Sequence, residues 1–226
     1  MAVSTNGRNR PHPDGGEARP GRDERRDQQR AHRRAQLLDA AIGEIRLIGP
    51  GATMAQLAKA GGVTKPILYR HFGDRDGLIA AIAEHFSVGL LRSVEEPLLS
   101  SDDPRLLLES TIEGYVAYLE GDPFLYRFLI QQSSGPAESG SSISSLVDVV
   151  ARQIAQISTE QLRAAGRDAG GAVPWAYGIV GLVHTATNWW LDAQTMSRER
   201  FVGYLTELLW QGLAAAGAPA AVAART

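Results

Sequence analysis

The sequence predicts an all-α protein, and three observations lead to that expectation. Apolar residues recur at intervals of three and four along most of the 226-residue chain, which is the spacing of one helix face. Asp, Thr, Pro and Gly residues divide the chain into segments of helical length. No stretch of useful length alternates apolar and polar residues as a half-buried strand does.

The first four helices are delimited by glycine turns and polar caps. Thr53, Thr64 and Asp74 each stand directly before a predicted helix, where a side-chain oxygen can accept a bond from a free backbone N–H. Pro66 lies in the first turn of the third helix, where its missing N–H costs little. Glycine-rich turns separate the first helix from the second and the second from the third.

The remaining five helices repeat this punctuation. Asp103-Pro104 and Asp122-Pro123 each put a carboxylate cap before a proline in the first helical position. A Ser/Gly-rich segment over 133–142 and a connector over 166–171 delimit the others. In chain order, the predicted helices span 27–47, 54–60, 65–72, 75–94, 104–120, 123–132, 143–165, 173–193 and 198–216.

Composition suggests how the chain is divided and where it acts. Residues 1–24 are rich in Gly, Pro and Arg, lack apolar periodicity and are expected to be disordered, as is a flexible tail over 218–226. Two domains, 25–73 and 74–217, lie between these tails. The absence of cysteine excludes disulfides and thiolate catalysis. No apolar run suggests a membrane span or a secretory signal, so we expect a cytoplasmic protein.

The net charge of −2 conceals an asymmetry. Residues 1–75 carry 14 Lys and Arg against 8 Asp and Glu, whereas the remainder carries 9 against 17. A basic N-terminal third on an acidic remainder indicates that one end meets a polyanion, although a merely solvated Arg-rich tail is the simpler alternative.

The segment TMAQLAKAGGVTKPILYRHFGDRDGL, over 53–78, is the most informative part of the chain. It consists of two short helices joined by a glycine turn, the sequence form of a helix-turn-helix whose second helix enters the DNA major groove. Val63, Ile67, Leu68 and Phe72 can form the buried side of the unit. The outer side then offers hydroxyls, cations and an apolar ring to phosphates and base edges.

This segment resembles the DNA-binding domain of the tetracycline-repressor (TetR) family. The family favours an Ala-x-x-Gly-Val turn and a Tyr-x-His-Phe end to the recognition helix, which here read AKAGGV at 58–63 and YRHF at 69–72. Gly61 stands where the family usually has Ala. The resemblance covers roughly residues 28–80 and implies an N-terminal three-helix helix-turn-helix DNA-binding domain plus a C-terminal helical ligand-binding and dimerisation domain.

The residue roles combine this resemblance with side-chain chemistry. Thr64 and Lys65 at the start of helix 3 are candidates for reading bases, and Pro66 for contacting a thymine methyl. Thr53 can bind phosphate at the N-terminus of helix 2. Tyr69, His71 and Arg75 are the phosphate contacts that the resemblance implies. The remaining DNA-binding candidates are Arg70 and the basic residues of helix 1, Arg30, Arg33 and Arg34.

The second domain is predicted to sense a small molecule and to form a homodimer. The resemblance implies that the last two helices pair across a two-fold axis, through a stripe of Ile179, Leu182, Val183 and Ala186 and another of Phe201, Leu205, Leu208, Leu209 and Gly212. Their alternative is packing within one subunit. A mainly apolar pocket is expected to take an apolar effector. Its candidate residues are Tyr115, Tyr118, Phe124, Phe128, Trp175, Tyr177, His184, Asn188 and Trp189, any of which can instead be core.

Other functions find less support in the sequence. An enzyme is not expected, because there is no Gly-rich phosphate loop, no nucleophile elbow and no His pair at helical spacing. No metal and no cofactor are expected. A general DNA-compacting protein conflicts with the acidic C-terminal part. The expected partners are double-stranded operator DNA, a small-molecule effector and a second copy of the chain. The alternative is a DNA-binding protein without a small-molecule effector.

Overall fold

The computed structural model of the chain describes residues 22–97, 103–133, 142–164 and 166–215. These residues form nine α-helices and no β-strand, which confirms the all-α prediction. The helices are α1 (Arg22–Ile48), α2 (Met54–Ala60), α3 (Lys65–Phe72), α4 (Arg75–Glu95), α5 (Pro104–Gly121), α6 (Pro123–Ser133), α7 (Ser142–Ala164), α8 (Ala172–Ala193) and α9 (Arg198–Ala215).

Helix α1 departs most from its predicted bounds. It begins at Arg22, so residues 22–24 are helical, whereas disorder was predicted for them. Residues 22–36 contain no glycine or proline, and their Arg, Glu, Gln and Ala residues favour helix. Glu24 also places negative charge near the positive end of the helix dipole. The rest of the predicted disordered tail and the tail at 218–226 lie outside the described residues.

The two capping threonines behave differently. The Thr53 side chain accepts a hydrogen bond from the backbone N–H of Gln56, and the Gln56 side chain accepts one from the Thr53 N–H at 2.9 Å, which completes a capping box. Thr64 has an extended backbone at the N-cap of α3, but its side chain makes no capping bond. The prediction that the Thr64 side chain caps α3 was therefore wrong, and its hydroxyl lies on the exposed side of the turn.

The first three helices pack around a small apolar core. Leu37 and Ile45 of α1, Leu57 of α2 and Leu68 of α3 are all fully buried. A Cβ at Gly61 would lie 2.6 Å from Cδ2 of Leu37, so any side chain there would force these residues to shift.

The later helices form a second, larger packed unit. Helix α7 packs extensively on α8, and α5 packs on α9. The Trp190 ring of α8 stacks on Phe201 of α9 with their centroids 5.1 Å apart. Arg198 at the start of α9 pairs with Glu113 and Glu120, which fixes α9 along α5. These contacts position the helices that surround an internal cavity.

Helix α4 connects the two units. Its segment Arg75–Val94 is the one described span long and apolar enough to cross a membrane by length and composition. Leu78, Ile82, Phe86 and Leu90 on this helix are buried in the protein core, so packing accounts for its apolar face. Helix α4 therefore reaches from the helix-turn-helix to the interior of the second unit.

Candidate nucleic-acid interface and ligand cavity

The outer face of α3 carries the residues that the sequence proposed for DNA contact. Lys65, Pro66 and Arg70 are exposed, and Tyr69 is half-buried. On the opposite side Leu68 and Phe72 are buried against α1 and α4, which fixes the rotation of α3 about its axis. The helix therefore presents a cation, a rigid apolar ring and a phenol toward solvent.

Basic side chains from α1 and α3 converge around His71. Burial, followed by the charges of Arg70, Arg33 and Arg30, lowers the pKa of His71 below its usual 6.5. The guanidinium of Arg33 donates to the Gly61 carbonyl at 3.1 Å, which fastens α1 to the turn between α2 and α3. This concentration of positive charge next to the recognition helix is the environment that a phosphate backbone needs.

Arg34 and Arg75 have partners within the protein. The Arg34 guanidinium lies over the Phe72 ring, 4.7 Å from its centroid, so it supports the end of α3. The Arg75 side chain donates to the side chain of Gln132 on α6 and lies 3.5 Å from the Asp76 carboxylate. Arg75 is exposed at the junction between the helix-turn-helix and the second unit, where it links α4 to α6.

A cavity of about 210 Å³ lies within the second unit, between α4, α5, α7 and α8. Its walls are overwhelmingly apolar. Ile157, which lines the cavity, is 45% exposed, so the space reaches the surface beside α7. The lining residues include Phe86, Leu90, Leu91, Val94, Leu108, Ile112, Val150, Ile154, Ile179 and Val183, with Thr111, Tyr115, Tyr126, Gln153 and His184 as the polar ones.

Four polar side chains form a chain of hydrogen bonds at the cavity wall. The Tyr126 hydroxyl donates to Oδ1 of Asn188, and the Asn188 amide nitrogen lies 3.2 Å from Nε2 of His184. Nδ1 of His184 is 2.9 Å from the Tyr115 hydroxyl. Burial lowers the pKa of His184, raises the pKa of Tyr126 to about 12 and raises that of Tyr115 further. All three ionisable groups are therefore neutral near pH 7.

Helices α8 and α9 also present an apolar outer face. Trp189 on α8 is 54% exposed, and Tyr204 and Leu208 on α9 are similarly exposed. Added Cβ atoms at Gly178 and Gly181 on α8 would meet nothing within 4 Å. We refer to Gly178, Gly181, Trp189, Tyr204 and Leu208 as the α8–α9 outer face.

Comparison with known families identifies the chain. The family described as "Bacterial regulatory proteins, tetR family" matches residues 37–82. The one described as "Tetracyclin repressor-like, C-terminal domain" matches residues 93–224, more than half of the chain. The chain belongs to the TetR family. Its relatives by sequence include an uncharacterized HTH-type transcriptional regulator of Mycobacterium tuberculosis H37Rv, 36% identical over 194 residues, which are 85% of this chain and 82% of the relative.

Other TetR-family proteins resemble the chain less closely. The HTH-type transcriptional activator FasR of Mycolicibacterium smegmatis is 27% identical over 205 residues, 88% of this chain and 91% of FasR. A TetR-family regulator from Streptomyces coelicolor has a similar fold, with a TM-score of 0.64 at 18% identity over 83% of each chain. FadR from Bacillus subtilis, in complex with stearoyl-CoA, has a TM-score of 0.58 at 20% identity, over 79% of this chain and 98% of FadR. The chain is thus a TetR-family transcriptional regulator with a DNA-binding helix-turn-helix.

The structure brings two of the nine predicted ligand residues of this TetR-family chain to the cavity wall. Tyr115 and His184 line the cavity, and Asn188 contacts His184 from behind it. The other six predicted residues do not line it. They are Tyr118, which donates to the Phe86 carbonyl, Phe128, which is fully buried in the core, Trp175, which packs on Gly171, and the partly exposed Phe124, Tyr177 and Trp189.

Most residues that line the cavity were not predicted from the sequence, because they are aliphatic and most of the candidates were aromatic. Tyr126 and Thr111 were not among the candidates, although both line the cavity. Thr111 lies one helical turn from Tyr115 on α5, so the spacing of four residues was an available signal. Phe124 and Trp189, chosen for their aromatic rings, lie on outward-facing sides of their helices, and their role in ligand binding stays a prediction.

The predicted dimer stripe on α9 also needs correction. Phe201, Leu205 and Leu209 are buried, so these residues pack against the core of their own subunit. On α8, Val183 is buried, and Ile179, Leu182 and Ala186 are partly buried against the same core. Leu208 and Gly212 alone among the predicted α9 residues remain exposed. Helical periodicity cannot distinguish an inward face from a partner-facing one when both are apolar.

Proposed function

We propose that this TetR-family regulator is a cytoplasmic repressor that binds a near-palindromic operator as a homodimer. A small, mostly apolar effector releases it from DNA. In this proposal residues 25–73 bind DNA, and residues 74–217 bind the effector and the partner subunit. The observation that carries the proposal is the position of helix α4, which touches the recognition helix at one end and lines the cavity at the other.

DNA contact is supported by the side chains that α3 exposes. Lys65 and Thr64 stand at its N-terminal end, the part of a recognition helix that reaches base edges. Lys can donate to the acceptors of guanine in the major groove. Tyr69 and His71 follow on the next turns beside the arginines of α1, which suits phosphate contact.

Dimerisation is supported by the α8–α9 outer face. Trp189, Tyr204 and Leu208 expose large apolar side chains, and the glycines Gly178 and Gly181 let another helix approach closely. Aromatic residues are enriched where protein surfaces meet. A two-fold axis through this face sets two recognition helices side by side, as a palindromic site requires.

Coupling between the two sites is supported by α4 and α6. Phe86, Leu90 and Val94 on α4 line the cavity, and Gly77 at its other end lies directly against the Phe72 carbonyl at the end of α3. The Arg75–Gln132 contact joins the start of α4 to α6. An effector that prefers the arrangement with displaced recognition helices shifts the population away from DNA, whereas equal affinity for both arrangements shifts nothing.

The cavity supports an apolar effector. Its walls are aliphatic and aromatic, and its volume of about 210 Å³ suits a slender molecule. The related structure of FadR was determined in complex with stearoyl-CoA, a ligand with a long aliphatic chain. That precedent agrees with the wall chemistry here and suggests an aliphatic chain as the part that enters.

The first experiment is selection and sequencing of genomic fragments that bind the purified protein. We expect a near-palindromic site whose half-sites lie about one DNA turn apart, roughly 34–36 Å. The Lys65→Ala/Tyr69→Phe double variant should lose most of its affinity for that site. Full operator affinity in this double variant would refute the interface. A reporter gene downstream of the site distinguishes repression from activation.

The second experiment asks whether apolar compounds release that DNA through the cavity. Ile154→Trp fills the cavity from α7, whereas Val149→Trp on the same helix adds the same ring at a 43% exposed position outside the lining. We expect Ile154→Trp to bind the operator but to lose release, and Val149→Trp to retain both. Unchanged release in Ile154→Trp, or release only by polar metabolites, would contradict the effector proposal.

A further inference from the structure

The polar side chains at the cavity wall point to a more specific effector. Among the described residues that line the cavity, none is Lys, Arg, Asp or Glu. A carboxylate or phosphate buried there would have no compensating charge, and burying an unpaired ion is costly. Whatever enters the cavity is therefore uncharged in the part that is enclosed.

The direction of the hydrogen-bond chain follows from its chemistry. Oδ1 of Asn188 accepts from the Tyr126 hydroxyl, so the amide nitrogen of Asn188 is the group that faces Nε2 of His184. An amide nitrogen can donate but not accept, which makes Nε2 the acceptor. A neutral imidazole with an unprotonated Nε2 carries its proton on Nδ1.

This series of hydrogen bonds therefore ends at a hydroxyl whose own proton takes no part in it. Nδ1 of His184 donates to the Tyr115 hydroxyl oxygen over 2.9 Å, so the Tyr115 hydroxyl proton takes no part in these hydrogen bonds. Burial holds the pKa of Tyr115 far above its usual value, so this proton is retained. Tyr115 lines the cavity, and its hydroxyl is left as a donor beside an apolar space.

We propose that the cavity selects an uncharged aliphatic molecule with one hydrogen-bond acceptor, a carbonyl of the ester, thioester or ketone type, held by Tyr115. This inference rests on the proposed effector cavity and specifies its ligand class. The hydrocarbon part occupies the apolar walls, and the carbonyl oxygen accepts the Tyr115 proton. A free carboxylate with the same hydrocarbon part is excluded, because its charge would be buried without a partner.

The test compares three probes of matched length: a medium-chain methyl ester, the alkane with the same number of heavy atoms, and the corresponding fatty carboxylate. Affinity is measured by isothermal titration, and DNA release is measured separately. One additional hydrogen bond should make the ester bind about five- to tenfold more tightly than the alkane. The carboxylate should bind more weakly than the ester.

The decisive variant is Tyr115→Phe, which removes the hydroxyl and keeps the ring. It should abolish the ester preference and lower ester affinity to that of the alkane or below, because the buried carbonyl then has no donor, and it should not weaken alkane binding. Tyr177→Phe, on the exposed side of α8, makes the same atomic change outside the cavity and should retain the ester preference. Operator affinity of each variant reports whether the fold is intact.

The outcomes separate this inference from the proposed function. Equal ester and alkane affinity in the parent protein, together with DNA release by both, would refute the carbonyl site and leave the apolar effector cavity standing. Loss of ester preference in Tyr126→Phe but not in Tyr115→Phe would overturn the assignment of Tyr115. If the carboxylate bound more tightly than the ester, the exclusion of charge would be wrong. Failure of all three probes to bind would overturn both proposals.

Discussion

Substituting Gly77 by Ala should test how the recognition helix is positioned. Gly77 lies in the first turn of α4, and a Cβ there would overlap the carbonyl oxygen of Phe72 and lie 3.2 Å from its carbonyl carbon. Backbone atoms cannot swing aside as a flexible side chain can, so α3 and α4 must separate. Overpacking of this kind costs about 1–3 kcal/mol, which outweighs the gain of about 0.5–1 kcal/mol from replacing Gly in a helix.

The matched control is Gly43→Ala in α1, where an added Cβ meets nothing within 4 Å. This variant should gain about 0.5–1 kcal/mol because helix propensity is its only change. Urea denaturation gives both free energies of unfolding, and titration with operator DNA gives both affinities. Gly77→Ala should lose stability and operator affinity together, because the end of α3 is displaced. A Gly77→Ala protein as stable as Gly43→Ala would refute the close contact between α3 and α4.

Three further predictions concern the DNA and dimer surfaces. Lys65→Ala should cost about 1–3 kcal/mol of operator binding and relax preference at one base pair, as measured by titration against a panel of mutated sites. Leu208→Glu should yield monomers in sedimentation. Its control, Leu47→Glu, changes a 78% exposed position on α1 and should remain dimeric. A dimeric Leu208→Glu protein would contradict the α8–α9 interface. The pKa of His71 is lowered in the free protein, and a bound phosphate raises it, so operator affinity should increase as the pH falls toward the lowered pKa of the free protein. His71→Gln should abolish that pH dependence, and an equal dependence in this variant would exclude His71 as its source.

Helix positions were predictable from the sequence because local chemistry determines them. Asp74 and Asp103 accept bonds from backbone N–H groups in the first turns of α4 and α5, as their positions before those helices predicted. The start of α1 was misplaced because charged residues there carry no apolar periodicity, although they favour helix. The helix-turn-helix was recognisable because its turn and its buried side occupy adjacent residues.

The ligand cavity was much less predictable, because it depends on contacts between distant parts of the chain. Tyr115 and His184 are 69 residues apart and become neighbours only when α5 packs beside α8. Periodicity shows which residues share a helix face, but it does not say whether that face meets a core, a cavity or another subunit. Trp189 illustrates the limit, because its neighbour Trp190 is buried and stacked on Phe201 while Trp189 itself is largely exposed.

The two ends of α4 support the proposal that an effector in the cavity influences DNA binding. At one end Phe86 and Leu90 line the space that an effector would fill, and at the other Gly77 leaves no gap between α4 and the Phe72 backbone. A close-packed contact transmits displacement, because separating or compressing packed atoms is unfavourable in either direction. Arg75 adds a link to α6, which also carries Tyr126 at the cavity wall. Both sets of contacts run from the cavity wall to the start of α4, which lies next to the end of α3, and they support the proposed coupling between effector binding and DNA binding.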